Sequence, residues 1–426
     1  MILRRLTIAV LAGGALLGCT ALLGDFDVLD ANEQQPPGNG TDAEADNATS
    51  NIDGSTSADG GDGAPPLSCN APFVACPGAA QCVVPLSDPE HCGACGHSCG
   101  GGACDNGVCK PAKLYELPAS STAKIDVIDV GATHLFFSTT DSTEQKAFSC
   151  PIGGCKGMPA TQLASMQYAI RAISAVNNVT FAFLSAPTQT TERPAVYACG
   201  LAGCPSPPVS FTGDGLNGVD DRFRTVGNRI FHFRGGSGIG YSTCDPATPG
   251  NCAGTTSFGS MTRNTRGFTA DATNVYFIDT QARGYVIATC LQTDTSCTPA
   301  QVVAGDHSDL EALETEGGKL YFIRPGREDF NEGKLYTCNL PSCTPQVIAN
   351  GLSTNPHTTG FKNELRVDAT GAYWLTTTKK IQRCAPNGCL GGAKDVIGPI
   401  NGIHSLVLDA SFVYWAEEKS IWRLAK

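Results

Sequence analysis

The chain has 426 residues, a formal net charge of −11 and 21 cysteines. So many cysteines argue against a protein of the reducing cytosol, where structural disulfides do not persist. The lack of a basic cluster argues against a partner made of nucleic acid.

The first segment has the features of an export signal. A basic pair, Arg4 and Arg5, precedes an apolar run that is shorter than the ~20 residues a membrane-spanning helix needs. The run ends in "LLGC", which resembles the lipobox of bacterial lipoproteins, where cleavage leaves an acylated cysteine as the new N-terminus. The resemblance implies a signal peptide over residues 1–18 and a lipid, palmitate among its acyl chains, on Cys19.

The residue after that cysteine bears on the destination. In the same lipoprotein family an aspartate at this position tends to retain the protein in the inner membrane. Here the residue is Thr20, so the resemblance implies an outer-membrane lipoprotein of the cell envelope, on the periplasmic or the surface side. An ordinary signal peptide with a coincidental cysteine is the alternative.

Residues 19–66 form the next segment, which is rich in Asp, Asn, Gly, Ser and Thr and contains neither Lys nor Arg. Such a composition buries too little apolar surface to offset the entropy of an ordered chain. We therefore predict a disordered acidic tether. Its carboxylates account for most of the net charge, which leaves the rest of the chain near neutral.

Residues 67–111 form a small module dense in cysteine. It has too few apolar residues for a hydrophobic core that would stabilise it, and exported modules of this size are stabilised by disulfides. Sequence alone does not give the pairing of its eight cysteines. The stretch "CGACGHSCGGGACDNGVC" resembles the cysteine-rich module of stigma-specific secreted proteins, which recurs in surface proteins of myxobacteria. A zinc site at Cys92 and Cys95, flanked by His91 and His97, is the alternative.

A repeat begins at residue 112. Each copy has an apolar strand, a turn rich in Asp, Gly and Asn, and a second strand that carries aromatic residues. The positions aligned with its tyrosine run from 136 to 414 in six steps of about 46 residues, a spacing that indicates propeller blades of four short strands. These seven positions are Phe136, Thr180, Phe231, Tyr276, Tyr321, Tyr373 and Tyr414.

A third strand in six copies ends in a cysteine, and a second cysteine follows at the spacing of a hairpin loop. We predict that each such pair is a disulfide that joins the third strand of a blade to its exposed fourth strand. The predicted pairs are Cys150 with Cys155, Cys199 with Cys204, Cys244 with Cys252, Cys290 with Cys297, Cys338 with Cys343, and Cys384 with Cys389.

The seventh copy lacks a fourth strand, because Leu424 occupies the cysteine position and only two residues follow it. The segment "KLYELPAS", which starts at Lys113, has the character of the missing strand and is predicted to close the ring. The last copies also resemble tyrosine-tryptophan-threonine-aspartate repeats and secreted propellers of myxobacteria. The predicted fold is therefore all-β: a seven-bladed β-propeller over residues 112–426, with a disulfide-rich module and a disordered tether before it.

No catalytic signature is present: the sequence has no nucleophile elbow, no H-E-x-x-H and no P-loop. We predict no bound metal or cofactor. The alternative is a calcium-binding loop whose oxygen ligands would be Asp214, Asn217, Asp220 and Asp221. Ten residues before each aligned aromatic position lies the start of an innermost strand, where propellers bind ligands. Six of these seven positions are polar, and they are the candidate ligand-face residues: Asp126, Asp221, Arg266, Glu311, Asn363 and His404, with Ile170 in the second copy.

Two classes of function remain open. The first is a membrane-tethered scaffold whose propeller binds a protein or a glycan. The second is a propeller enzyme that acts on an extracellular polysaccharide or a small substrate, for which Asp126, Asp221 and Glu311 would be the carboxylates. Solvated strand ends are also polar without any ligand. The lack of catalytic signatures favours the binding scaffold.

Overall fold

The computed structural model describes residues 68–426 with short gaps. Residues 1–67, and with them Cys19 and the predicted tether, lie outside the described residues. The gaps are 79, 143, 156, 168, 178–179, 187–194, 205–222, 235–237, 246, 249–250, 258–266, 282–283, 295–296, 308–309, 311, 325–332, 353–364, 377, 390–391 and 401. In the part that is described, no helix has the length and apolar character needed to cross a membrane.

The described elements are strands, and most of them form seven antiparallel sheets. Two short hairpins precede the sheets: β1 (Val74–Ala75) with β2 (Cys82–Val83), and β3 (Cys104–Asp105) with β4 (Val108–Cys109). Strand β5 (Ala112–Glu116) follows them.

Each sheet is one blade, and its strands are ordered from the inside of the ring outward. Blade 1 comprises β6 (Lys124–Val130), β7 (His134–Thr140), β8 (Gln145–Pro151) and β9 (Thr161–Met166). The described part of blade 2 comprises β10 (Ala169–Ala175), β11 (Thr180–Ala186) and β12 (Ala195–Gly200). Blade 3 comprises β13 (Phe223–Val226), β14 (Arg229–Arg234), β15 (Gly238–Cys244) and β16 (Cys252–Ser257).

The remaining blades repeat this order. Blade 4 comprises β17 (Phe268–Ala270), β18 (Asn274–Gln281), β19 (Gly284–Leu291) and β20 (Ala300–His307). Blade 5 comprises β21 (Leu313–Glu316), β22 (Lys319–Arg324), β23 (Gly333–Asn339) and β24 (Gln346–Leu352). Blade 6 comprises β25 (Leu365–Asp368), β26 (Gly371–Leu375), β27 (Ile381–Cys384) and β28 (Lys394–Ile397).

Blade 7 closes the ring as predicted. Its strands β29 (Ser405–Leu408), β30 (Phe412–Ala416) and β31 (Ser420–Ala425) are completed by β5, which lies antiparallel to β31 with Tyr115 opposite Ile421. Leu114 and Leu117 are buried at this seam. The innermost strands contact one another in a closed cycle from blade 1 to blade 7 and back. The predicted seven-bladed propeller is therefore confirmed.

The core lies between the blades, where alternate side chains of each second strand pack against the neighbouring sheet. The rings of Phe136 and Phe181 stack across blades 1 and 2 at 5.5 Å between centroids. One aligned position is corrected by the strand register. Asp129 lies opposite Phe136, and the matching pair in blade 2 is Ser174 opposite Ala182, so Ala182 rather than Thr180 aligns with the tyrosines.

The two ends of the ring differ. We call the end where the innermost strands begin the mouth face, and the end where the disulfide hairpins lie the clip face. In blade 7, Ser405 and Ala416 pair at the mouth face, and Leu408 and Val413 pair at the clip face.

The six predicted cysteine pairs are disulfides in the structure. The prediction that each joins a third strand to a fourth is correct for blade 3, where Cys244 and Cys252 are ladder partners. In blades 1, 4, 5 and 6 the second cysteine precedes the fourth strand, and in blades 1, 2 and 6 its amide contacts the preceding blade. The amide of Cys155 donates to Leu114 O at 3.1 Å, and that of Cys389 donates to Ile348 O at 2.8 Å. These hairpins therefore also connect neighbouring blades.

The cysteine-rich module is docked on the clip face of blade 7. Its four disulfides join Cys69 to Cys82, Cys76 to Cys95, Cys92 to Cys104, and Cys99 to Cys109. Arg423 donates through Nε to Gly100 O at 2.7 Å, and its guanidinium lies over the ring of Phe412. Cys92 and Cys99 are buried in one cluster with Val413 and Leu424. The module therefore packs against the propeller as part of one compact unit.

Candidate binding site at the channel mouth

Two predicted ligand-face residues can be placed, and both lie at the mouth face on neighbouring innermost strands. Asp126 lies in a bulge of β6 and is half-buried, and its Oδ2 accepts from Thr140 Oγ1 at 3.4 Å. His404 directly precedes β29. The two strands are in contact, because the amide of Ile128 donates to Ser405 Oγ at 3.4 Å.

The tautomer of His404 follows from its neighbours. Its Nδ1 lies 2.7 Å from Gly402 O, and since a carbonyl only accepts, Nδ1 carries the proton in the neutral ring. The Nε2 atom is then an acceptor. It is buried and has no hydrogen-bond partner among the described residues. A buried acceptor without a donor is unfavourable, so this atom favours a donor supplied by a bound molecule.

A charged pair lies beside this seam at the mouth face. Lys124 Nζ lies 2.8 Å from Glu418 Oε1, and the amide of Ile125 donates to Glu418 O at 2.9 Å. The hydrogen bond from Lys124 lowers the pKa of Glu418. The pair is exposed, so we expect it to contribute little to stability.

The other predicted positions are not described. Asp221, Arg266, Glu311 and Asn363 lie in the gaps, as does the possible calcium loop with Asp214, Asn217 and Asp220. Asp221 and Glu311, two of the three carboxylates that an enzyme would use, therefore lie outside the described residues.

The corrected register of blade 2 changes the predicted ring. Ile170 is fully buried, and the residue that matches Asp126 is Arg171, which lies in the bulge of β10 and is exposed. With Arg171 in place of Ile170, all seven positions carry a polar side chain.

A second polar layer, which the sequence did not indicate, lies three residues further along the innermost strands. Arg224 of blade 3 contacts the carboxylate of Glu314 in blade 5, and Arg366 of blade 6 lies 3.3 Å from the same Oε1 atom. Because blade 4 separates blades 3 and 5, the Arg224–Glu314 pair crosses the central channel, whereas Arg366 and Glu314 join neighbouring blades. The carboxylate of Glu314 is shared by two guanidiniums, which suits a structural ion pair better than an acid or base.

Asp129 completes this layer from blade 1. Burial raises its pKa above the ordinary value, while hydrogen bonds from the amide of Ala175 and from Ser174 lower it in part. The Ala175 amide lies 2.8 Å from Oδ2 and belongs to blade 2. Asp129 therefore connects two innermost strands. Both described carboxylates of this layer are engaged by protein groups, which leaves the mouth above it as the candidate binding site.

Comparison with known proteins supports the fold only. No protein-family model and no curated protein matches the chain. Puromycin hydrolase superposes with a TM-score of 0.50 at 10% identity over 73% of this chain and 54% of its own, so this chain spans about half of that enzyme. The class defined by the fold is thus the β-propeller proteins.

Two smaller propellers align along nearly their whole length. The β-propeller domain of the Trilobed protease from Pyrococcus furiosus has a TM-score of 0.47 at 8% identity, over 71% of this chain and 96% of its own. YCF48, solved bound to a D1 peptide, has a TM-score of 0.48 at 12% identity, over 74% and 96%. Identities this low carry no function to this chain.

Proposed function

We propose that this protein is a lipid-anchored, cell-envelope scaffold of the outer membrane whose propeller binds a protein or glycan ligand at the mouth face. The lipid would be carried by Cys19, and the acidic segment 19–66 would separate the folded part from the membrane. The anchor rests on the lipobox resemblance, and the binding role rests on the geometry of the ring.

One observation carries the binding role: the module and the mouth are at opposite ends of the ring. Arg423 and Ala112 are ladder partners at the clip face, where Arg423 also holds Gly100 of the module. His404 lies at the other end, and its buried Nε2 atom lacks a donor among the described groups. The chain that leads to Cys19 continues from the module, so it leaves the described residues on the side of the module and not from the mouth face.

The state of the channel carboxylates supports binding over catalysis. Glu314 is held by Arg224 and Arg366, and Asp129 accepts from Ala175. A glycosidase needs two carboxylates free to act on one bond. In the second polar layer, both described carboxylates are committed to the protein itself.

The binding role is tested with a Cys19→Ala protein, which we expect to be released from the membrane. Envelope extracts and a glycan array would be screened with it to find a ligand. His404→Ala in that background should then weaken binding about tenfold, the equivalent of one well-made hydrogen bond, with little change in melting temperature. Glu90→Gln on the exposed surface of the module is the control.

The lipid anchor and the ligand binding at the mouth can be contradicted independently of each other. A Cys19→Ala protein that stays with the membrane fraction would contradict the lipid anchor. Unchanged affinity of His404→Ala, with a lower melting temperature, would assign this histidine to structure and contradict binding at the mouth.

A further inference from the structure

A groove of about 380 Å³ lies on the clip face between blades 5 and 6, away from the channel mouth. Its floor includes Thr337, Cys338 and Ile348, which are all buried. Its volume is within the ~300–1,000 Å³ of small-molecule sites. Its walls are polar, which is unlike the apolar lining of most such sites. The lining side chains that can hydrogen-bond outward are Lys319, Asn339, Ser342, Thr344, Gln346 and Asn387.

These six side chains are uncommitted. Among the described residues, none of the six makes a side-chain hydrogen bond or an ion pair. Together they offer three amides, two hydroxyls and one ammonium group, and none of the lining residues is acidic. Glu316 lies opposite Lys319 in the strand ladder but does not line the groove. The groove therefore has donors and acceptors for a hydroxylated ligand and a single unpaired positive charge.

Two disulfide hairpins shape the groove. The Cys338–Cys343 bond closes the hairpin that carries Asn339 and Ser342, and the Cys384–Cys389 bond closes the loop that carries Asn387. The amide of Leu340 donates to Gly318 O at 2.9 Å, and that of Cys389 donates to Ile348 O at 2.8 Å. The walls are thus fixed to the blades on both sides. A preformed groove of this kind binds a ligand with little cost of ordering.

We propose that this groove is a second binding site, which takes a saccharide with a carboxylate group, such as a uronic acid. The amides and hydroxyls of the walls pair with the sugar hydroxyls, and Lys319 pairs with the carboxylate. The site is independent of the mouth face, since it shares no residue with it. It would give the propeller two ligands at opposite ends.

The experiment measures binding of D-glucuronate and D-glucose to the full Cys19→Ala protein by ligand-observed NMR titration. Glucuronate should bind saturably, and glucose at least about tenfold more weakly. Lys319→Gln should reduce glucuronate affinity about tenfold, which corresponds to one charge-assisted hydrogen bond. Lys394→Gln is the matched control, because Lys394 is an exposed lysine of blade 6 outside the groove.

A second variant protects the test against misfolding. Asn387→Ala changes an exposed loop residue and should weaken both sugars while the melting temperature stays the same. Acetate that binds as tightly as glucuronate would identify an anion site and overturn the saccharide. Absence of saturable binding, or equal affinity in wild type and Lys319→Gln, would overturn the site. His404→Ala should leave glucuronate binding unchanged. Failure of the groove proposal can therefore be distinguished from failure of the mouth-face proposal.

Discussion

At the scale of single residues, an aspartate and a tyrosine organise the turn between the first two strands of blades 4 and 7. In blade 7, Asp409 accepts from the amides of Ser411 and Phe412 and from the hydroxyl of Tyr414 at 2.6 Å. Blade 4 repeats this with Asp271 and Tyr276 at 3.0 Å. The repeated "D…Y" pattern marks the blades in the sequence. Its role as a turn that is closed by a tyrosine becomes visible only with the side chains in place.

Loss of the tyrosine hydroxyl should destabilise the fold. Tyr414→Phe removes a hydrogen bond to a carboxylate from a fully buried side chain, and we expect a cost of about 2 kcal/mol in the free energy of unfolding. Tyr336→Phe is the control, since no described group bonds the Tyr336 hydroxyl, and it should change stability by less than ~0.5 kcal/mol. Urea unfolding measures both. Equal effects would show that the Asp409 contact is not stabilising.

The Asp271 carboxylate makes stability depend on pH. Burial alone would raise the pKa of Asp271, but hydrogen bonds from Thr273, Asn274 and Tyr276 outweigh it and hold the pKa below its ordinary value. A lowered folded-state pKa stabilises the protein above the unfolded pKa of ~3.9, and this contribution is lost as the pH falls through the folded value. Asp271→Asn should thus be less stable than wild type at pH 7, and this gap should narrow below about pH 4.

Thermal unfolding from pH 7 to pH 3 would measure that gap. Glu90→Gln, an exposed substitution in the module, should have the same dependence of melting temperature on pH as the wild type. A gap for Asp271→Asn that is constant with pH would mean that its hydrogen bonds do not distinguish the charged carboxylate from the neutral amide.

At the scale of elements, the docking of the module depends on a close approach at one glycine. A Cβ atom at Gly100 would lie 2.3 Å from a ring carbon of Phe412, and the backbone there has a φ of +61°. Gly100→Ala should therefore lower the melting temperature and raise the protease sensitivity of the module. Gly96→Ala is the control, because its φ of +76° imposes a similar backbone strain with nothing within 4 Å. Similar losses for both would mean that strain, and not the contact, is responsible.

The disulfide hairpins show how far local patterns reach. Loop lengths of four to seven residues were enough to predict every pair, since the distance across a hairpin is set locally. The contact of Cys389 with Ile348 joins residues of different blades. It depends on the angle between successive sheets, which no spacing in the chain encodes. The module pairing was likewise left open by the sequence and is set by its packing.

At the scale of the whole molecule, the repeat period and the unpaired last blade predicted the closed ring, because each blade must bury both of its faces on neighbours. The ion pair across the channel was not predictable in this way. Arg224 and Glu314 are 90 residues apart and meet only because the ring closes. Arg224, Glu314 and Arg366 also recur at the blade spacing, but which of these side chains meet is set by the ring and not by the spacing.

Three truncations test the closure. Removal of residues 1–67 should leave the melting temperature unchanged. Removal of 1–111 should leave a folded but less stable propeller, since Phe412 and Leu424 lose their cover from the module. Removal of 1–119 also deletes β5 and should lead to aggregation, because β31 becomes an open edge. Calorimetry and light scattering would measure these outcomes. If the last two proteins behave alike, β5 does not close the ring.

The position of β5 also decides how the molecule would respond to a pull on its N-terminal side. The chain enters β5 at the clip face, and the strand runs toward the mouth face. A force on Ala112 away from the clip face is therefore directed along the strand. It would shear the hydrogen bonds with β31, and the bond from Cys155 to Leu114, all together instead of unzipping them one by one. The force would first load the contact between Arg423 and Gly100 of the module. The ring would therefore stay closed until the module had detached from blade 7.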